Sequence, residues 1–162
     1  MPDDAIRVGL GFDVHAFAAG RRLFLGGVEI PHHLGLAGHS DADVLIHAVI
    51  DALTGASGIG SIGDVFPDSD ERWRDASSLM MLGMIRTMLA ERRILIMNID
   101  TVVVCQEPRI APHAHTMSRA MADALGIEAD RICVKGKTTE GLGFTGRREG
   151  IAAYAVALVR KK

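Results

Sequence analysis

The stretch His39-Ser40-Asp41-Ala42-Asp43-Val44-Leu45-Ile46-His47 combines the start of a helix with several polar side chains of ligand type. Ser40 occupies the position typical of an N-cap, and Asp43 follows three residues later as a capping-box partner. Apolar residues then recur at helical spacing, at Val44, Leu45, Ala48, Val49, Ala52 and Leu53. The pattern predicts a helix from about Asp41 to Thr54.

A line of polar side chains is predicted along this otherwise apolar helix. Asp43, His47 and Asp51 follow one another at intervals of four residues and therefore share one side. Buried polar groups are usually paired, so the simplest interpretation of His47 is a core histidine bonded to a carboxylate one turn away. A second group of ligand-type side chains would favour a metal site instead.

Such a group lies upstream, in the strand-like run 7–15. Strand alternation places Asp13 and His15 on the same face of an extended segment. Together with His47 they would form an Asp-His-His set, which suits a borderline ion such as zinc and leaves a fourth tetrahedral position for substrate or water. An Asp-x-His triplet alone also occurs on surface strands, so the case for a metal depends on the His47 helix.

Composition and charge indicate one domain and argue against several classes of partner. The 162 residues are 48% hydrophobic, enough for a core in a single domain spanning 1–162. The formal net charge of -2 gives no electrostatic reason to expect nucleic acid or an anionic membrane surface as a partner. The sequence has no secretory leader pattern and no apolar run of membrane-spanning length, so we expect a soluble, cytoplasmic protein.

The rest of the chain alternates strands and helices, without repeats or a linker, which predicts an α/β fold. The predicted elements are strands at 6–14, 94–105, 132–137 and 150–159, a hairpin at 22–30 turning at Gly26-Gly27, helices at 76–92 and 112–125, and loops at 32–38 and 58–70. The adjacent His32 and His33 are expected to have structural or solvent roles, since neighbours on a loop rarely converge on one ion. Cys105 and Cys133 lie in apolar runs and are interpreted as small buried hydrophobes.

A glycine-rich turn at 137–150 is the third informative stretch. Its glycines would let backbone N–H groups approach an anion, and its hydroxyl and arginine side chains would add donors. One carboxylate in the turn could hold a hard cation against phosphate oxygens. The alternative is a glycine hairpin with solvated charges. The turn matches neither a Walker loop nor a dinucleotide-binding motif.

Five motifs carry a resemblance to a known family. They are Gly-x-Asp-x-His at 11–15, Gly-His-Ser-Asp-x-Asp-x-x-x-His at 38–47, Phe-Pro-Asp at 66–68, Pro-x-x-x-Pro-His at 108–113, and Thr-Glu-x-Leu-Gly-Phe followed by Gly-Arg-x-Glu-Gly at 139–150. In this order and spacing the chain resembles the 2-C-methyl-D-erythritol 2,4-cyclodiphosphate synthases, over roughly residues 6–158.

The resemblance implies a lyase of non-mevalonate isoprenoid biosynthesis. Such an enzyme converts 4-diphosphocytidyl-2-C-methyl-D-erythritol 2-phosphate to 2-C-methyl-D-erythritol 2,4-cyclodiphosphate, by attack of the 2-phosphate on the β-phosphorus with release of CMP. The implied cofactors are Zn²⁺ held by Asp13, His15 and His47, and Mg²⁺ or Mn²⁺ held by Glu140. Two cations would neutralise the crowded phosphates, which otherwise repel one another.

The resemblance also implies the residues that act on the substrate. His39 and Thr138 correspond to the catalytic groups that position and stabilise the pentacoordinate state. Ser40 would hold a phosphate at the helix N-terminus. The other implied substrate contacts are Ser61, Ile62, Gly63, Phe66, Pro67, Asp68, Ser69, Asp70, Cys105, Gln106, Glu107, Pro108, Arg109, Ile110, Ala111, Lys137, Thr139, Phe144 and Arg147. The segments 105–111 and 137–139 would form the cytosine pocket, chiefly through backbone groups.

Three positions depart from the family pattern. Ser61 stands where the family has an Asp that contacts the ribose hydroxyls, and a serine cannot supply a bidentate carboxylate. Gly141 and Arg148 stand where the family has Lys and Gly. None of the three is an implied metal ligand, so we expect the reaction class to be retained.

The resemblance implies a homotrimer, in which a mixed sheet with helices on one face packs against the neighbours' sheets and each site lies between two subunits. The apolar strands 99–104 and 152–159 agree with such burial. Two other functions stay open. One is a metal-dependent phosphohydrolase that uses the same ions to activate water. The other is a non-catalytic trimer that binds isoprenoid diphosphates along its axis, with Phe12, Arg147 and Glu149 near one mouth.

Overall fold

A mixed five-stranded sheet and a separate hairpin make up the β-structure of the computed structural model, which describes residues 5–162. The strands are β1 (Ala5–Ala18), β2 (Leu23–Leu25), β3 (Val28–Ile30), β4 (Gly35–Leu36), β5 (Ile94–Val104), β6 (Ile132–Lys137) and β7 (Gly150–Lys161). The sheet order is β4-β1-β7-β5-β6, and β2 pairs with β3 in the predicted hairpin. Only β5 and β6 run parallel; the other neighbours in the sheet are antiparallel.

The helices are α1 (Val44–Ser57), α2 (Ile62–Val65), α3 (Ser78–Glu91), α4 (Ala114–Leu125) and α5 (Gly143–Gly146). The predicted mixed α/β single domain is therefore confirmed. The two short helices α2 and α5 lie in stretches that were predicted as a loop and a turn. Within residues 5–162, no helix has the length and apolarity needed to cross a bilayer.

The start of α1 differs from the prediction. Asp43, not Ser40, is the N-cap, because its Oδ1 accepts the N–H of Ile46 at 3.0 Å. The same buried carboxylate also accepts the backbone N–H groups of Gly26 at 2.9 Å and Gly27 at 2.6 Å, at the tip of the β2–β3 hairpin. Ala42 has a φ of 59°, which is incompatible with a helix already running at that point. The Ser40 cap was wrong because hairpin donors, distant in sequence, fix the carboxylate of Asp43.

Helix α1 packs on β1 with backbone nearly touching backbone. Gly9 and Gly11 alternate along β1 on its buried face. A Cβ built on Gly9 would lie 1.9 Å from the carbonyl oxygen of Ala52, and one built on Gly11 would lie 1.9 Å from that of Ala48. No side chain fits at either position. These two glycines therefore bring α1 as close to β1 as the backbone allows, directly beside Asp13 and His15, which continue the same face.

The opposite face of the sheet is apolar and uncovered in the single chain. The exposed large apolar residues of β1, β5 and β7 are Ile6, Val8, Leu10, Phe12, Val14, Leu95, Met97, Tyr154 and Val156. The rings of Phe12 and Tyr154 lie 4.8 Å apart across paired positions of β1 and β7. Contiguous exposed apolar surface of this kind marks an interaction site.

The two cysteines have different environments. Cys105 is buried, as predicted, and burial raises the pKa of its thiol to about 11, with the Glu107 carboxylate adding to the shift. Cys133 is exposed, so the prediction that it is buried was wrong. It lies between Ile132 and Val134 on the edge strand β6, where alternation turns its side chain away from the core. The apolar neighbours of Cys133 predict a buried side chain, but in this strand only Ile132 and Val134 are buried.

Candidate metal centre and adjoining cavities

Asp13, His15 and His47 converge at the end of the β1–α1 contact. Asp13 Oδ2 lies 3.0 Å from His15 Nε2 and 3.0 Å from His47 Nδ1. The two ring nitrogens are themselves 3.2 Å apart. All three side chains are largely buried. The expectation of an Asp-His-His group able to hold a metal is therefore confirmed. The simpler interpretation, in which His47 is a core histidine bonded to Asp43 or Asp51, is not confirmed.

The donor set fits a small divalent cation. Ligand bonds of about 2.0 to 2.2 Å in tetrahedral geometry place neighbouring ligand atoms about 3.4 Å apart. The observed separations of 3.0 to 3.2 Å are within a small relaxation of that value. Two imidazole nitrogens and one carboxylate oxygen form a common zinc-type ligand set, which leaves one position free for a fourth ligand.

Each histidine is oriented by its second ring nitrogen. His15 Nδ1 donates to the carbonyl oxygen of Ala37 at 2.6 Å, so Nε2 is the ring nitrogen that faces the centre. His47 Nε2 lies 3.1 Å from the hydroxyl oxygens of both Ser40 and Ser78. Ser78 in turn donates from its hydroxyl and its backbone N–H to Asp41. This arrangement fixes His47 with Nδ1 directed at Asp13.

Charge and burial act in opposite directions on these groups. Burial alone would raise the pKa of Asp13, but hydrogen bonds and charge from His15 and His47 hold it well below its usual range. Burial would lower the pKa of His15, but its hydrogen bond to Asp13 and the charge of that carboxylate raise it. The carboxylate is therefore ionised at neutral pH, as a metal ligand must be.

The other members of the predicted polar line have separate tasks. Asp43 caps α1 and binds the hairpin, as described above. Asp51 Oδ1 accepts the backbone N–H of Ile62 at 3.1 Å and so ties α2 to α1. Of the three side chains, only His47 belongs to the metal centre.

A cavity of about 450 Å³ opens beside the metal centre. Its lining includes His15 and His47 from the centre and seven residues that sequence analysis assigned to the substrate or to catalysis, namely His39, Ser40, Ile62, Gly63, Phe66, Pro67 and Asp68. Three other residues of the segment 61–70 that sequence analysis assigned to the substrate do not line this cavity, namely Ser61, Ser69 and Asp70. The carboxylate of Asp70 instead forms an ion pair with Arg72 at 2.6 Å.

Ser61 is engaged locally. It is the N-cap of α2, and its backbone N–H and hydroxyl both donate to Asp64 Oδ2, at 2.7 and 2.8 Å. These hydrogen bonds lower the pKa of Asp64. The carboxylate of Asp64 is therefore hydrogen-bonded to Ser61, the position at which the resembling family has its aspartate.

A second cavity, of about 390 Å³, lies in another part of the chain. Eight of its lining residues were assigned to the nucleotide or to catalysis, namely Cys105, Gln106, Pro108, Arg109, Ile110, Ala111, Lys137 and Thr138. Glu107 and Thr139 are not in the lining. The two cavities have no lining residue in common.

Glu140 and Thr138 contact one another but do not belong to the Asp13 centre. Thr138 Oγ1 donates to Glu140 Oε1 at 2.7 Å. Glu140 is exposed and has a φ of 54°. In the same turn, Arg147 is ion-paired with Glu149 at 2.8 Å and Phe144 is exposed.

Sequence reasoning missed four lining residues. Gly38, Trp73 and Met81 line the first cavity, and Gly136 lines the second. Trp73 packs edge-on against Phe66, with ring centroids 4.9 Å apart. A lone tryptophan next to the Phe-Pro-Asp motif was the available signal. At Gly136 a Cβ would approach the Cβ of Ile110 to 2.7 Å, so the glycine holds 105–111 close to β6.

Comparisons with known proteins agree along nearly the whole chain. A family model described as the YgbB family matches residues 6–160. The 2-C-methyl-D-erythritol 2,4-cyclodiphosphate synthase of Caldicellulosiruptor bescii is 55% identical over 153 residues, covering 94% of this chain and 98% of that protein.

Solved structures agree as well. The bifunctional IspDF from Campylobacter jejuni matches with a TM-score of 0.95 and 39% identity over 99% of this chain, which spans 44% of that longer protein. A CDP complex of IspF from Plasmodium falciparum matches with a TM-score of 0.86 and 32% identity, over 98% of this chain and 97% of that one.

Proposed function

The chain belongs to the YgbB family, and we propose that it is a lyase with the activity for which its relatives are named. It would convert 4-diphosphocytidyl-2-C-methyl-D-erythritol 2-phosphate to 2-C-methyl-D-erythritol 2,4-cyclodiphosphate and CMP, in non-mevalonate isoprenoid biosynthesis. Relatives at 55% and 53% identity over most of this chain carry that name. A charged substrate of this kind does not cross membranes unaided, so we place the activity in the cytoplasm.

The observation that carries the proposal is the Asp13-His15-His47 centre opening into the 450 Å³ cavity. The cavity combines a metal-type donor set with the histidine and serine of the Gly-His-Ser-Asp motif and with the Phe-Pro-Asp segment. We assign Zn²⁺ to the three ligands, because two imidazoles and a carboxylate suit a borderline ion better than a hard one.

The reaction requires one bond to form and one to break at the β-phosphorus. An oxygen of the 2-phosphate attacks this phosphorus and forms the new P–O–P link of the ring. The bond from the β-phosphorus to the oxygen bridging it to the α-phosphorus breaks, and CMP leaves with that oxygen and the bonding electron pair. When bound, the cations would neutralise phosphate charge and polarise the phosphorus under attack.

The residues of the chain would position these groups. His39 and Ser40 line the cavity next to the centre, where they would hold the attacking phosphate in line with the leaving group. Thr138 and Lys137 line the second cavity, where they would contact the leaving CMP end. Glu140, bonded to Thr138, would bind Mg²⁺ or Mn²⁺, since a hard cation prefers carboxylate oxygen.

We propose that the complete site lies between subunits of a homotrimer. The metal-side cavity and the nucleotide-side cavity are separate within one chain, so one substrate would be held by the first cavity of one subunit and the second cavity of its neighbour. The uncovered apolar face of β1, β5 and β7 supports packing of sheet against sheet.

The proposal is tested by incubating the protein with the cytidine diphosphate substrate, Zn²⁺ and Mg²⁺. We expect CMP and a cyclic diphosphate in equal amounts, and no reaction after chelation. The variant His47→Ala should lose turnover and the zinc ion of the Asp13-His15-His47 centre while keeping its melting temperature near that of the wild type. Open-chain products would indicate a phosphohydrolase, and binding without CMP release would indicate a non-catalytic trimer; either result contradicts the proposal.

A further inference from the structure

His32, His33 and Glu107 form a second cluster of metal-ligand type, which shares no residue with the Asp13 centre. One ligand atom from each of the three side chains lies within 4.8 Å of the other two. His32 and His33 follow β3 in the loop before β4, whereas Glu107 follows β5. The fold therefore brings together side chains that are far apart in sequence.

The environment of His32 is that of a metal ligand. Its side chain is only 8% exposed, and its ring stacks on Phe17 with centroids 5.3 Å apart. Nδ1 lies 2.9 Å from the carbonyl oxygen of Leu34 and 3.2 Å from the backbone nitrogen of the same residue. With the proton on Nδ1 and donated to that oxygen, which is the shorter contact, Nε2 presents a lone pair. Nε2 is buried and has no hydrogen-bond partner among residues 5–162. His15 is arranged in the same way, with Nδ1 donating to Ala37 and Nε2 facing the first centre.

We propose that His32, His33 and Glu107 bind a second divalent transition-metal ion of the zinc class. A buried lone pair without a partner is costly, and a metal ion would satisfy it. His32 Nε2 is 4.0 Å from Glu107 Oε1, and a shared tetrahedral ion would require about 3.4 Å. Rotation of the half-buried Glu107 side chain would close that gap, and rotation of the exposed His33 would bring its ring to the same ion. The rings of His32 and His33 are already 4.4 Å apart at their centroids.

Arg148 competes for the same carboxylate. Its Nε lies 3.9 Å from Glu107 Oε1, where its positive charge opposes a bound cation. Arg148 has a φ of 59°, a backbone conformation that glycine adopts without strain. The substitution Arg148→Gly therefore removes the competing charge without a cost to the backbone, and we expect it to tighten binding at the second cluster.

Zinc stoichiometry tests the proposal. Each protein is dialysed to equilibrium against Zn²⁺ with excess Mg²⁺, which occupies sites made only of oxygen, and metal and protein are then quantified. We expect two zinc ions per chain in the wild type and one in His33→Ala. His33 is exposed, so its loss leaves the fold intact. The exposed His115, which belongs to neither cluster, supplies the matched control, and His115→Ala should keep two.

Two further variants separate the centres. His47→Ala should retain one zinc ion through the second cluster, and the double variant His33→Ala with His47→Ala should retain none. Arg148→Gly should lower the dissociation constant of the second ion by about tenfold or more. A wild type that binds one zinc ion, or a His33→Ala variant that still binds two, overturns the assignment.

Discussion

The substitution Gly11→Ala asks whether close packing of α1 on β1 creates the metal centre. The new Cβ would lie 1.9 Å from the carbonyl oxygen of Ala48 and 2.6 Å from the nitrogen of Ala52. A carbon–oxygen contact requires about 3.3 Å, so α1 would have to retreat by about 1.4 Å at this point. Both neighbours are helix backbone and cannot rotate away.

The retreat would act directly on His47, which precedes Ala48 in α1. Metal–ligand distances tolerate only about 0.2 Å of deviation, so a helix displaced by more than this cannot keep His47 Nδ1 in the same coordination sphere as Asp13 and His15. We expect zinc affinity to fall by at least about tenfold. Overpacking at this close contact should also lower the free energy of unfolding by about 1 to 3 kcal/mol.

The assay is calorimetric titration of Zn²⁺ together with thermal unfolding of the metal-free protein. Gly55→Ala is the matched control, because Gly55 lies in the same helix and a Cβ there meets no atom within 4 Å. It should leave zinc affinity unchanged and stabilise the helix by up to about 1 kcal/mol. A Gly11→Ala protein with wild-type zinc affinity would refute the idea that the glycine contact sets the ligand geometry.

Three other predictions concern the outer parts of the site and the thiols. Glu140→Gln should keep zinc but lose magnesium-dependent turnover, since an amide lacks the charge that a hard cation prefers; unchanged magnesium dependence of the rate would count against it. Ser61→Asp should tighten CMP binding by about tenfold in calorimetry, the value of one hydrogen bond to a charged group; equal affinities would show that Asp64, bonded to Ser61, already supplies the acceptor. Iodoacetamide at about pH 8 should modify Cys133 and leave Cys105 unmodified until the protein unfolds, because Cys105 is buried and its thiol has a pKa of about 11. Mass spectrometry detects the labelled thiols, and rapid labelling of both would contradict this prediction.

Local patterns predicted the metal centre well because its geometry follows from periodicity. Asp13 and His15 share a strand face at a spacing of two residues, and His47 lies on a helix whose apolar positions mark the buried side. Both facts can be read from sequence alone. The distance between strand and helix could not be read in this way, since it depends on Gly9 and Gly11 meeting the carbonyl groups of α1.

The errors share a physical cause, which is contact between residues distant in sequence. Ser40 has the chemistry of an N-cap, yet Asp43 takes that position because the hairpin glycines donate to it. Cys133 has an apolar local sequence, yet it lies on the uncovered face of an edge strand. The structural or solvent roles expected of His32 and His33 are not tested here, but their closeness to Glu107, which follows β5, could not be predicted from sequence for the same reason.

The proposed cyclisation is tested most directly by running the reaction to completion in water enriched in ¹⁸O and determining the mass of the product. Attack by the 2-phosphate takes every oxygen of the ring from the substrate, so we predict a cyclic diphosphate that contains no ¹⁸O and equals the released CMP in amount. Incorporation of one ¹⁸O atom into an open-chain product would show that water attacks the phosphorus, and would contradict the assignment of this chain as a cyclodiphosphate synthase.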